Sequence, residues 1–320
     1  MNRGVLAFGF ALSVATATGA MRADPASIWD KAKSPTKPGQ LSADDIHRQV
    51  AALYHQAITT RVDDPLFGGQ AQVALEGAYA ILVRYDANKS SDPRLRYDFG
   101  LVLAKLRRYA DAAAALEDAL GFAKEHPFAA DGAFELAICY SHLGKHEEEE
   151  RAYLVVLELT DQEGVKAIAY SNLAESRMAQ GKVVESIDAA ESAIALRPDS
   201  ASPHLNMAIL QDRSGNPVAS LVSAKHALEL DPDGEYIDGE GVFFEPAYEK
   251  HWYVALREQA LAERYFGDER KAHLMAALVA YRKWLDLAEP TNRFRLRAEE
   301  GVARVEKILK LKPSLPPKKK

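Results

Sequence analysis

Two adjoining stretches decide the fold: residues 167–200, AIAYSNLAESRMAQGKVVESIDAAESAIALRPDS, and residues 201–234, ASPHLNMAILQDRSGNPVASLVSAKHALELDPDG. Laid one over the other, Leu173-Ala174 meets Met207-Ala208, Gly181 meets Gly215, and Ser186 meets Ser220. Ala193 meets Ala227 and Pro198 meets Pro232, so the chain repeats itself at a period of 34 residues. Self-similarity at a fixed period of this size is the mark of a repeat architecture rather than of a single irregular domain.

A small residue after an apolar one, a central Gly, a later Ala and a closing Pro together resemble the tetratricopeptide repeat. The resemblance implies an all-α solenoid of antiparallel helix pairs, with a groove that holds a protein or peptide partner. Its template extends back to Pro93, with Phe99-Gly100 at the paired apolar and small sites, Tyr109 at the late turn, and Ala112 and Ala119 at the close-approach sites. Small residues belong there because two helices reach a short axial distance only where side chains are small. The next unit starts at Ala130 and carries Leu136-Ala137, Tyr140, Gly144 and Tyr153, with Glu149 where a small residue is expected. Short insertions flank that unit, and residues 93–234 form the repeat array.

The resemblance also implies a concave face lined by the first helix of each unit. Carried over residue by residue, the partner-binding candidates are Arg94, Tyr97, Asp98 and Leu101, then Phe134, Glu135 and Ile138. They continue with Ser171, Asn172 and Glu175, then Leu205, Asn206, Ile209 and Arg213. Some members of the family clamp a partner's C-terminal carboxylate with lysines and asparagines. Here Asn172 and Asn206 are present, but Phe134, Ile138 and Ser202 stand where that clamp wants Lys, Asn and Lys, which argues against it.

The flanks divide by composition. Arg3 and an apolar run over residues 4–14, followed by Ala15-Thr16-Ala17 and Thr18-Gly19-Ala20, predict a secretory signal peptide over 1–20, cleaved between Ala17 and Ala20. The apolar run is too short to span a bilayer, so no stable membrane insertion is expected after cleavage, and the location is periplasmic or secreted. Residues 21–40, with Pro25, Pro35 and Pro38, read as a flexible leader. Residues 41–92 read as a degenerate helical repeat or cap. Ser42 is its N-cap, Asp44 and Asp45 suit the first helical turn, and Pro65 with Gly68-Gly69 sits between its two helices. Residues 235–245 break the template as a Gly- and aromatic-rich excursion, two short apolar arms around 238–241. Residues 246–311 give a last helix pair and a capping helix, and 312–320 is a Pro-Lys tail.

Charge and motifs narrow the function. With 40 Lys and Arg against 46 Asp and Glu, the net charge of −6 gives nucleic acid no electrostatic support. The single cysteine, Cys139, excludes an internal disulfide and a multi-thiolate zinc site. A calcium-loop spacing runs from Glu229 through Asp231, Asp233 and Gly234 to Glu240, but it coincides with an ordinary repeat end and carries Pro232 inside it. His142 and His146 flank the turn at Gly144 and need not converge on a metal. Glu147 to Glu150 is an acidic helix start, which the dipole favours. No Gly-rich phosphate loop, Gly-x-Ser-x-Gly or His-Glu-x-x-His occurs, so no catalytic residue, metal or cofactor is expected.

The reading is an exported, non-enzymatic protein-binding scaffold. The alternative is an interaction subunit of a cell-envelope assembly or secretion machine, and a hydrolase on a helical scaffold ranks below both. The aromatic cluster Tyr236, Phe243, Phe244, Tyr248, Trp252 and Tyr253 is either a core plug or a docking surface, and Phe243 and Phe244 join the partner-binding candidates on the second reading.

Overall fold

A computed structural model describes residues 41–59, 68–239, 244 and 246–310. The signal peptide, the leader, the tail, Glu240 and Phe243 lie outside the described residues. All regular structure among those residues is helical. They fall into two compact units divided after Asp161.

The first unit stacks three antiparallel pairs: α1 (Ala43–Thr59) with α2 (Gly68–Arg84), α3 (Pro93–Lys105) with α4 (Tyr109–Phe122), and α5 (Ala129–His142) with α6 (His146–Leu159). Ser42 caps α1 as expected: its hydroxyl accepts from Asp45 N at 3.1 Å and donates to the Asp45 carboxylate at 2.6 Å. That hydrogen bond is the first cause of the lowered pKa of Asp45. Gly68 and Gly69 open α2 instead of separating it from α1. Asp92 caps α3 ahead of Pro93, whose missing N–H is no loss at a first helical position.

The second unit contains α7 (Glu163–Gln180) with α8 (Val183–Leu196), and α9 (Ala201–Arg213) with α10 (Pro217–Leu230). A short α11 (Glu235–Asp238) is followed by the pair α12 (Lys250–Ala262) and α13 (Gly267–Leu287), with α14 (Arg295–Leu309) packed on α13. The excursion thus begins later than its sequence suggests. Both carboxylate oxygens of Asp231 accept backbone N–H groups, from Gly234 and Tyr236, and this turns Tyr236-Ile237 into a helical loop instead of an extended arm.

The repeat register is visible in the packing. A Cβ on Gly100 would lie 2.6 Å from the Leu116 side chain, so the eighth and twenty-fourth template positions meet between α3 and α4. Ala112, Ala119, Ala137, Ala174, Ala193, Ala208 and Ala227 are all buried where the template wants small residues. Glu149, the one departure, is buried too, and its carboxylate pairs with His146 Nδ1 at 2.9 Å. No helix among the described residues is long and apolar enough to cross a membrane.

Candidate functional site

The predicted inner-face residues behave differently in the two units. In the first, Arg94 at the start of α3 bonds Asp92 and, from α1, Asp44, both at 2.6 Å. Its side chain, hydrogen-bonded to Asp92, holds that carboxyl below the usual range. Tyr97 is buried and donates its hydroxyl to Ala123 O at 2.8 Å, and burial pushes its pKa up to about 12. Asp98 is buried against His47 Nδ1 at 2.7 Å, and burial raises its pKa. Phe134 sits edge-on to Tyr153, and Glu135 pairs with Lys105 at the end of α3. Phe134 and Ile138 are buried.

In the second unit the inner face of α9 lies under the chain's own C-terminal helices. Leu205, Asn206 and Ile209 are buried in one core with Trp252, Leu256, Tyr281, Trp284 and Val305. Each such aromatic buries roughly 150–250 Å², which at ~25 cal/mol per Å² contributes on the order of 4–6 kcal/mol before entropy is counted. At the C-terminal end of α9, Asp212 is only 3% exposed and accepts three hydrogen bonds. They come from Trp252 Nε1 at 2.9 Å, Tyr281 Oη at 2.8 Å and Arg304 at 2.9 Å. Burial, then the Asp212 charge, holds the Tyr281 phenol well above its ordinary value. Arg213 pairs with Glu249, and its guanidinium lies 4.6 Å from the ring centres of Trp252 and Phe294. The aromatic cluster is therefore mainly core: Trp252 and Tyr253 are buried, and Tyr236, Phe244 and Tyr248 are partly buried against them.

What stays open lies at the edge of that lid. Tyr253 of α12 donates to Glu175 Oε1 at 2.9 Å and lies 3.1 Å from Asn206 Oδ1, while its ring centre is 4.9 Å from that of Phe244. Glu175 is exposed and Asn172 half-buried, whereas Ser171 is buried. The amide Nδ2 of Asn206 and the Nε of Arg213 are buried with no hydrogen-bond acceptor among the described residues. The open edge therefore consists of the exposed Glu175, the half-buried Asn172 and the partly buried Phe244 ring, with the two unsatisfied donors beneath it.

No protein-family model matches the chain, and no curated protein matches it. Solved structures do. MamA 41-end from Desulfovibrio magneticus RS-1 is 15% identical, with a TM-score of 0.47 over 60% of this chain and 98% of that one. MamA MSR-1 C2 is 21% identical, with a TM-score of 0.44 over 59% and 94% of the two chains. MamA AMB-1 C2221 is 23% identical, with a TM-score of 0.42 over 58% and 100%. At such scores and identities the likeness is partial and identifies neither a family nor a partner.

The other sequence features resolve into local contacts. Glu229 lies in the last turn of α10 and pairs with His226, and Asp231 caps the following turn, so the calcium-like spacing is a repeat end over its described part. His142 stacks on Tyr109 at 4.0 Å while His146 turns to Glu149. Cys139 is buried, and burial pushes its thiol up to about 12. No group of three or more His, Cys, Asp or Glu suited to a metal occurs among the described residues. Sequence reasoning missed His47, Lys105 and Asp212, and named Tyr253 only as one member of the aromatic cluster. Asp212 alone left a signal, an acid at a helix C-terminus where the dipole disfavours it.

Proposed function

We propose that the chain is an exported protein-binding scaffold that holds an extended segment of a protein partner along the open edge of the α7 and α9 inner face. The observation that carries this reading is the junction at Tyr253, where Glu175, Asn206 and the Phe244 ring converge. Main-chain N–H groups suit the exposed Glu175 carboxylate, which fixes register, while the partly buried Phe244 ring supplies apolar area. Arg94, Tyr97, Asp98, Phe134 and Glu135 take a secondary part in this reading, because their polar groups already bond within the chain or their rings are buried.

Capture from an envelope fraction tests it. Glu175→Arg combined with Asn172→Ala alters the open edge and should lower capture at least tenfold, while circular dichroism at the assay temperature stays that of the wild type because Tyr253 keeps Asn206 Oδ1 as an acceptor. Wild-type capture by that double variant would place the binding face elsewhere. Export is checked by mass spectrometry of the protein recovered from cells: a mature N-terminus just after Ala17 or Ala20 is expected, and retention of Met1 rejects it.

A further inference from the structure

We propose that the outer face of α13 is a self-association surface that pairs with α13 of a second copy, antiparallel, about a two-fold axis at Ala276. The helix is apolar on two sides. One side, with Leu274, Ala277, Leu278, Tyr281, Trp284 and Leu285, is buried against α12 and α14. The opposite side leaves Met275, Val279 (58%) and Leu287 (54%) exposed, beside exposed Ala272 and Ala276, and Phe266 at the entry to the helix is 84% exposed. A helix that has already covered one apolar face needs no second one for folding, and a contiguous exposed stripe of this kind marks an interaction surface.

The order of residues along the stripe chooses the occupant. Glu269, Ala272, Ala276, Val279 and Lys283 follow one another at spacings of three and four, the pattern that keeps a seam on one side of a helix. Glu269 and Lys283 each stand seven residues from Ala276, about 10.5 Å along the axis at 1.5 Å per residue. Neither has an ion-pair partner among the described residues. A two-fold at Ala276 sets Glu269 of each copy against Lys283 of the other and Phe266 against the Asp286-Leu287 end, and brings Ala272 of one copy within one residue, about 1.5 Å along the axis, of Val279 of the other. Parallel pairing would set Glu269 against Glu269. The small side chains at the centre allow close approach, and the face is complementary to itself, as an isologous contact requires. A single helix pair falls short of the ~1,600 Å² of a standard interface, so the dimer should be weak, about micromolar or weaker.

Sedimentation velocity of the purified chain over a concentration series tests this. A reversible monomer–dimer equilibrium is expected, and Val279→Glu should leave only monomer. Glu269→Lys and Lys283→Glu should each weaken the dimer several-fold at low salt, and the two together should restore it. All of these positions are exposed, so circular dichroism and Tm should match the wild type and show that the variants fold. Ala276→Cys should cross-link on oxidation, since Cys139 is buried and does not compete. A chain that stays monomeric at its highest soluble concentration overturns the proposal, as it would if a foreign protein were the occupant. A dimer that survives Val279→Glu, or a double reversal that fails to restore it, overturns it too.

Discussion

The inner helices α3 and α9 start from the same template and are buried by different means. In α3, Arg94 and Asp98 bond residues of α1, and the ring of Tyr97 is buried, so the face is organised by pairwise polar contacts. In α9, Asn206, Ile209 and Asp212 are buried beneath α12 and α14, so the face is organised by an aromatic core around one carboxylate. The lesson is that a template position prescribes a direction, not a partner. What a side chain on the concave side meets depends on what the chain does afterwards, and in the second unit it folds a helix pair and a cap over its own groove.

The sharpest way to break that contrast is to remove the two carboxylates. Asp212→Ala leaves the Arg304 guanidinium, the Trp252 indole and the Tyr281 hydroxyl without their shared acceptor, and should cost about 3–5 kcal/mol. Asp98→Ala removes one partner of one pair and should cost about 1–3 kcal/mol. Urea denaturation of both variants decides it. Equal losses would mean that Asp212 is no more central than an ordinary paired acid.

A smaller effect sharpens the comparison at the turns between paired helices. The same six-residue closing hydrogen bond ends four first helices: Arg108 N to Leu103 O at 3.0 Å, Lys145 N to Tyr140 O at 2.9 Å, Lys182 N to Arg177 O at 2.9 Å, and Asn216 N to Gln211 O at 2.8 Å. The left-handed residue is a glycine in three of them, Gly144 in the first unit and Gly181 and Gly215 in the second, but Arg107, with φ of 59°, after α3. Arg107→Gly should therefore stabilise the protein by about 1 kcal/mol, the strain a side chain meets in that conformation. Gly215→Ala should destabilise it, both by that strain and because a Cβ there would meet the Arg297 guanidinium at 2.8 Å. A loss of stability in Arg107→Gly would show that the side chain compensates for the strain.

Most of the fold was legible because period, small residues and glycines all report on contacts between neighbouring helices. Gly100 against Leu116 and the buried alanines follow directly from such local rules. The site was much less legible. His47 and Asp98 are 51 residues apart, and Asp212 and Arg304 are 92 apart, and no periodic pattern links them. Asn206 and Arg213 occupy the positions that the resemblance implies, yet the chain's own Tyr253 and Glu249 reach them first. Only the aromatic density after residue 235 hinted at that lid.

The smallest expected effect lies in the histidines. Burial lowers the pKa of His126 in the first unit and of His204 and His251 in the second. The other causes differ: at His126 Asp92 works against the shift while Arg94 and His47 add to it, at His204 the Pro198 carbonyl works against it while His226 adds to it, and at His251 Lys283 and Lys250 both add to it. A histidine with a depressed folded pKa binds its proton more readily when unfolded. Its contribution is therefore complete above the unfolded value of about 6.5 and is lost as pH falls below it. Stability should accordingly be lower at pH 5.5 than at pH 7.5, before the carboxylates titrate. His251→Gln, where every cause lowers the pKa, should flatten that acid-side fall more than His126→Gln, whose shift Asp92 opposes. Denaturation midpoints at the two pH values measure the difference. A midpoint that rises on acidification would reverse the sign and overturn this reading of the three buried histidines.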